Sequence, residues 1–252
     1  MATKGRVDKV ARSIRCYAKQ RYPNKELIIL SQGTPEENAK ISEMSHLIEA
    51  PITLSLGAMR NALIELSTGE LICQWDDDDL YDSERLMTQY KAIRSEDAIA
   101  SLYTQFIKYF ETTGDMYWID WSQEHNYSHR FLCGSIMFFK HLFYEHNNLL
   151  YPEIGLQSDV EEDLNILEKL MIKGKIAGVS QGYQYIYSYH GGNTYNLAHH
   201  ELGIDTSWKK VLKSAAELRK EQDFLTNNLQ QYGDLSFRFR NQEEVAFTSS
   251  RD

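Results

Sequence analysis

Through its first hundred residues the chain alternates short apolar runs with stretches of helical spacing, and this alternation limits the fold more than any other feature. Val7, Val10, Ala11, Ile14 and Ala18 recur every three or four positions, which predicts an amphipathic helix over 7–20. Tyr22, Pro23 and Asn24 break it, and residues 26–30 read as a buried strand followed by a turn over 31–35. A second helix is expected over 58–67, ending near Gly69, and a second apolar strand over 71–75. Ser83 is placed to cap a third helix carrying Leu86, Met87, Tyr90 and Ile93. Strand and helix in strict alternation imply an α/β fold with a mostly parallel sheet covered by helices on both faces. Sheets of that kind bind ligands in the loops at the carboxyl ends of their strands.

The middle of the chain is richer in strands, over 98–103, 106–111 and 116–121, and residues 138–147 read as strand passing into a short helix. Ser158 and Glu161 have the spacing of a capping box, with Val160, Leu164, Leu167 and Leu170 as the buried stripe of the helix that follows and Gly174 at its end. Strands are expected over 176–180 and 183–190, the latter with Tyr183, Tyr185, Tyr187 and Tyr189 on one face. No linker divides the first 195 residues, so 1–195 is expected as one domain and 196–252 as a helical extension with a loosely ordered polar tail.

Charge and cysteine usage narrow the function. With 27 Lys+Arg against 36 Asp+Glu, the net charge of -9 gives no basic face for nucleic acid. Cys16, Cys73 and Cys133 are odd in number and far apart, which reads as buried free thiols in a reducing compartment. No apolar run approaches the roughly 20 residues of a membrane span, and the first residues lack the apolar core of a signal peptide. A cytoplasmic protein is expected. Lys209, Lys210, Lys213, Arg219 and Lys220 on the predicted 207–232 helix read as a solvated face, an acceptor or self-association surface, or a peripheral membrane contact.

The sharpest chemical signal is Asp76-Asp77-Asp78-Asp79, which follows directly on the apolar run 71–75. An acidic run alone is commonly a solvated loop. At a strand end, however, two carboxylates about 4 Å apart repel by roughly 4 kcal/mol at an effective dielectric of 20, and a divalent cation relieves that repulsion. Oxygen ligands favour Mg²⁺ or Mn²⁺, and Asp76 and Asp78, one residue apart in extended chain, form the natural pair. Glu162 and Asp163, in a first helical turn, suit the helix dipole and also supply a candidate general base. His190 closes a strand before Gly191 and Gly192, where backbone passes close to something. Arg60 and Asn61 are placed for a phosphate or for plain solvent exposure.

Four segments in order, YPNKELIIL, GAMRNALIELSTGELICQWDDDDLYDSERL, EEDLNILEKLMIKGKI and YSYHGGNT, closely resemble the family 2 glycosyltransferases of the GT-A fold, from residue 1 to about 195. The resemblance implies an inverting, metal-dependent transfer of a sugar from a nucleotide-diphosphate donor, a UDP sugar above all, to an acceptor hydroxyl of a glycan or lipid-linked acceptor, in the setting of bacterial surface polysaccharide. It implies a D-x-D motif on Asp76 and Asp78, with Asp78 the principal metal ligand and Asp76 on the ribose side or on the metal through water. It implies Asp163 as catalytic base beside Glu162, Arg60 near the nucleotide, His190 at the metal or pyrophosphate, and Cys133 and Gly134 lining the donor-sugar pocket. Two positions depart from the family pattern. The first strand is cut to its end, with Thr3 in the segment that holds the base. Gln32 stands in a Ser31-Gln32-Gly33-Thr34 turn where an acidic residue usually meets uracil. The alternative these departures raise is a degenerate, non-catalytic GT-A subunit that binds a glycan or a partner protein.

Overall fold

The computed structural model describes residues 1–124, 126–145, 149–153, 162–193, 197–198, 200–201, 217, 219–220, 222–223, 225–226, 237–241 and 244–248. The chain opens with a two-residue strand β1 (Ala2–Thr3), then helix α1 (Val7–Ala18) and strand β2 (Ile29–Ser31). Val10 and Cys16 bury the apolar stripe of α1 that the periodicity predicts. Helix α2 (Pro35–Ser42) stands where only a turn was expected. Thr34 accepts from the Glu37 amide and Glu37 returns the bond to the Thr34 amide, with Pro35 inside the first turn. Strand β3 (Leu47–Glu49) follows, and β1, β2 and β3 make a parallel sheet with Ala2 opposite Leu30.

Helix α3 (Leu56–Leu66) is capped by Ser55, whose hydroxyl accepts from the Ala58 amide. Strand β4 (Leu71–Cys73) then carries the chain to the aspartates, and a short β5 (Leu80–Tyr81) leaves them. Helix α4 (Arg85–Glu96) is not capped by Ser83. Its N-cap is Glu84, and the Asp82 carboxylate accepts from the Glu84 amide just ahead of it. Strands β6 (Ala100–Tyr103), β7 (Gln105–Phe110), β8 (Asp115–Asp120) and β9 (Met137–Phe139), the short helix α5 (His141–Glu145), helix α6 (Glu162–Lys173), and strands β10 (Ile176–Val179) and β11 (Tyr185–Tyr189) complete the scaffold. The proposed cap of α6 at Ser158 lies outside the described residues.

β10 and β6 pair in parallel, and β9 enters antiparallel between β6 and β4. A third sheet runs β13-β12-β8-β7-β11-β5. Its first two strands, β12 (Arg238–Asn241) and β13 (Glu244–Thr248), overturn the expectation of a loose tail. Phe237 and Phe239 alternate with the exposed Arg238 and are buried in the main core, while Arg238 and Arg240 pair with Asp115. Leu225 joins the same core, and Arg219 and Lys220 are exposed. The architecture is α/β: one parallel three-stranded sheet and two mixed sheets with flanking helices.

The cysteines are free, with Cys16 buried and Cys73 and Cys133 half-buried. Among the described residues no helix is long and apolar enough to cross a membrane. A cavity of about 560 Å³ is lined by residues flanking the first sheet and by β4, among them Met1, Ile28, Leu71 and Cys73.

Candidate active site

The four aspartates leave β4 in a bend, and each meets different surroundings. Asp76 accepts from Gln74 Nε2 at 3.1 Å and from Arg60 Nη2 at 3.2 Å. Asp77, almost fully buried, accepts from the Thr3 hydroxyl at 2.6 Å and from Arg6. Asp78 Oδ2 meets Arg6 Nη1 at 2.9 Å and His190 Nε2 at 3.0 Å. Asp79 turns inward, where Tyr185 donates to it at 2.8 Å and the Ser188 amide at 2.9 Å. Asp76 and Asp78 therefore face different partners, because the chain bends between them instead of running extended.

Burial governs the protonation of this loop. It pushes Asp79 well above the usual carboxylate range, with the charges of Asp78 and Asp76 adding to the effect. Burial would also raise Asp78, but the hydrogen bond with His190 and the Arg6 charge outweigh it and hold that carboxyl below its ordinary value. The Gly192 amide donates to His190 Nδ1 at 3.3 Å, a contact that steadies the ring beside Asp78.

Beneath the loop lies Arg85, at the start of α4 and fully buried. Its guanidinium donates to the Gln74 carbonyl at 2.8 Å and lies 4.2 Å from the Tyr81 ring and 4.8 Å from that of Tyr185. Among the described residues it is a charge held by carbonyls and ring faces, with no carboxylate in an ion pair with it.

Across from the loop, α3 and the start of α6 supply the other side chains. Arg60 Nη1 approaches Glu162 Oε1 at 2.6 Å, an ion pair without hydrogen-bond alignment, while its Nη2 holds Asp76. Burial opposes the Arg60 charge, and Asp76 and Glu162 more than restore it. Burial raises Glu162 to about 7; Arg60 partly offsets this and the neighbouring Asp163 adds to it. Asp163 is raised as well, by burial against the pull of Arg60. Its carboxylate accepts from the Leu164 amide at 2.8 Å and also from the backbone amide of Asp163 itself.

The remaining predicted residues divide between places beside the acidic loop and structural places. Gly134 belongs to a 3₁₀ turn, Cys133–Ser135, that packs beside α6; a Cβ on Gly134 would stand 3.2 Å from Asp76 Oδ2. The Cys133 thiol is pushed up by burial and by the charge of Asp163. Thr3 spends its hydroxyl on Asp77. Gln32, at the carboxyl end of β2, donates its amide to the carbonyls of Pro51 and Leu54, both at 2.8 Å, which leaves its carbonyl oxygen as the acceptor. Asn61 pins the Tyr151 backbone from both sides. Arg6, Gln74, Arg85 and Tyr185 were not singled out from the sequence. Arg6 carries one signal, its position directly after Gly5, where the ends of β1 and β2 cross so closely that a Cβ on Gly5 would lie 2.6 Å from Gly33 Cα.

The profile of glycosyl transferase family 2 matches residues 1–152, more than half of the chain. The protein belongs to that family. This glycosyltransferase also resembles solved structures of low sequence identity. The 1–349 fragment of S. aureus TarS has a TM-score of 0.55 at 14% identity, covering 92% of this chain and 78% of that one. The same fragment in complex with UDP-GlcNAc gives 0.56 at 13%, covering 92% and 71%. The mannosyltransferase PcManGT from Pyrobaculum calidifontis, in complex with GDP-Man and Mn²⁺, gives 0.52 at 14%, covering 92% and 62%. No curated protein gives a significant match.

The donor set of the glycosyltransferase fits a small divalent cation. Two ligands at right angles on an octahedral ion at about 2.1 Å stand about 3.0 Å apart, which is the separation of Asp78 Oδ2 and His190 Nε2. Among the described residues no cluster of three or more metal-ligating side chains occurs. That suits Mg²⁺ or Mn²⁺, which are commonly held by one or two protein groups together with substrate phosphate and water.

Proposed function

We propose that the protein transfers a sugar from a nucleoside-diphosphate sugar, of which a UDP sugar suits the site best, to an acceptor hydroxyl with inversion at the anomeric carbon. The observation that carries this reading is the Arg60 bridge, which ties the acidic loop to the Glu162–Asp163 turn across one cleft. Donors of this class in the UDP-GlcNAc and GDP-Man complexes of the structural neighbours support it. Asp78 and His190, with Asp76 in the same loop, would hold Mg²⁺ or Mn²⁺, whose chemistry there would be Lewis acidity toward the leaving diphosphate.

The chain's own residues do the rest. The Asp163 carboxylate takes the proton of the acceptor hydroxyl, and the acceptor oxygen attacks the anomeric carbon opposite the diphosphate, whose bond to the sugar breaks with its electron pair. Glu162 is committed to Arg60 and so fixes the turn that carries Asp163, whose basicity burial and the Asp76 charge raise. The Gln32 carbonyl accepts from the imide N–H of uracil, a contact the amide nitrogen could not make. Cys133 and Gly134 line the sugar beside Asp76, and Thr3 acts through Asp77 by fixing the loop. The acceptor is a glycan or lipid-linked sugar in surface-polysaccharide synthesis, made on the cytoplasmic side.

The test is a panel of nucleotide sugars screened for Mn²⁺-dependent thermal stabilisation, with the anomeric configuration of any product read by NMR. A retained configuration overturns inversion. Calorimetry that finds no metal-dependent binding of UDP overturns the reading and leaves the non-catalytic subunit in its place.

A further inference from the structure

The Arg6 guanidinium closes the corner that a divalent cation needs. Nη1 lies 2.9 Å from Asp78 Oδ2 and 3.0 Å from His190 Nε2, and those two atoms are 3.0 Å from each other. The three atoms form a nearly equilateral triangle. An ion shared by Asp78 and His190 has to lie about 2.1 Å from each, against a guanidinium that already carries a positive charge there.

Arg6 also has a second place to rest. Its other nitrogens hold Asp77, which the Thr3 hydroxyl fixes from the opposite side, so Asp78 can be released without losing the whole anchor. The side chain is 35% exposed, against 2% for Asp77 and 15% for Asp78, and it stands at the N-cap of α1 at the rim of the site. A planar fork of donors on an arginine is matched to phosphate oxygens as well as to carboxylate.

We propose that Arg6 is a cation gate: in the free protein its guanidinium neutralises Asp78 and keeps the divalent ion out, and the donor diphosphate draws it away, so that ion and donor bind together or poorly. The inference rests on the metal-dependent reading above and goes beyond it by naming what couples the two ligands. Coupling of this kind is reciprocal, so nucleotide tightens the ion by the factor by which the ion tightens nucleotide.

The experiment is an electron paramagnetic resonance titration of Mn²⁺ with the full chain, wild type and Arg6→Gln, with and without UDP, corrected for the Mn²⁺–UDP complex measured alone. Wild type is expected to bind Mn²⁺ weakly alone and at least about tenfold tighter with UDP. Arg6→Gln is expected to bind Mn²⁺ about tenfold tighter than wild type without UDP and to lose most of the UDP effect. Arg6→Lys keeps a charge at the corner and is expected to bind Mn²⁺ as wild type does, with thermal melts checking the fold of each variant. Equal or weaker Mn²⁺ binding by Arg6→Gln without UDP overturns the gate, as does a lysine variant that behaves like the glutamine one. Tight binding by wild type regardless of UDP removes the gate and leaves the metal-dependent reading standing. No Mn²⁺ binding by any form, with or without UDP, removes both.

Discussion

Arg60 Nη1 stands 2.6 Å from Glu162 Oε1 while Nη2 of the same guanidinium stands 3.2 Å from Asp76 Oδ1. One nearly buried side chain thus joins residues from the end of β4 and the first turn of α6, which are 86 positions apart in the chain (162 − 76). The tie matters because each carboxylate would repel the other without it, and the cleft would open at the point where chemistry needs it closed.

Arg60→Met should therefore cost about 3 kcal/mol of stability, since removing one partner leaves buried charge uncompensated. Urea denaturation measures it. Transfer should fall further than stability does, because Asp163 loses its orienting neighbour. A variant as stable and active as wild type contradicts the bridging role.

Asp163→Asn should lower kcat by roughly 10²–10⁴-fold, the usual worth of a general base, while calorimetry shows UDP binding unchanged. Near-normal turnover in that variant refutes the assignment of the base.

Glu162 carries a pH signature. Its folded value of about 7 lies above the ordinary 4.5, so between those values the native state holds more protons than the unfolded chain. Stability then falls as pH rises through that window and stays lower above it. Glu162→Gln cannot titrate. The drop in urea midpoint from about pH 5 to about pH 8 should be larger in wild type than in the variant; equal drops would mean that Glu162 ionises normally.

Asp78 and Asp79 are adjacent and should respond in opposite ways. Asp79→Asn replaces a carboxyl whose ionisation burial already disfavours, leaving an oxygen for the Ser188 amide and an amide group for the Tyr185 hydroxyl, so stability should change by no more than about 1 kcal/mol and turnover should be kept. Asp78→Asn should abolish Mn²⁺ binding and transfer. Circular dichroism melts and a transfer assay on both variants decide the matter, and loss of activity in both would show that the distinction is false.

The legible part of this molecule was its local periodicity. The stripe of α1, the apolar run into β4 and the acidic loop at its end all lie within short windows, where spacing alone reports on burial. The strand–helix alternation carried the fold class for the same reason. Helix α2 was legible and passed over: Thr34 and Glu37 frame a capping box, but the glycine and proline around them read as a turn. In the tail, Phe237 and Phe239 held a period-two signal masked by the polar residues between and after them. The different fates of four identical aspartates were not legible. Their partners arrive from β1, the start of α1, α3 and β11, so which aspartate Thr3, Arg6, Arg60, Tyr185 and His190 each meet is visible only once the strands are laid side by side. Tyr185 in particular reads as one more apolar face until its hydroxyl is seen on Asp79.

β12 pairs with β8 and β13 with β12, so the last described stretch of chain caps the flank of the sheet that also contains β11 and β5. Cut away before Phe237, the protein would present a bare ladder of β8 amides and carbonyls beside the vacated seats of two phenylalanines, an invitation to stick to its own copies. Shortened versions chosen to trim a seemingly dispensable end are for this reason the ones to expect in inclusion bodies.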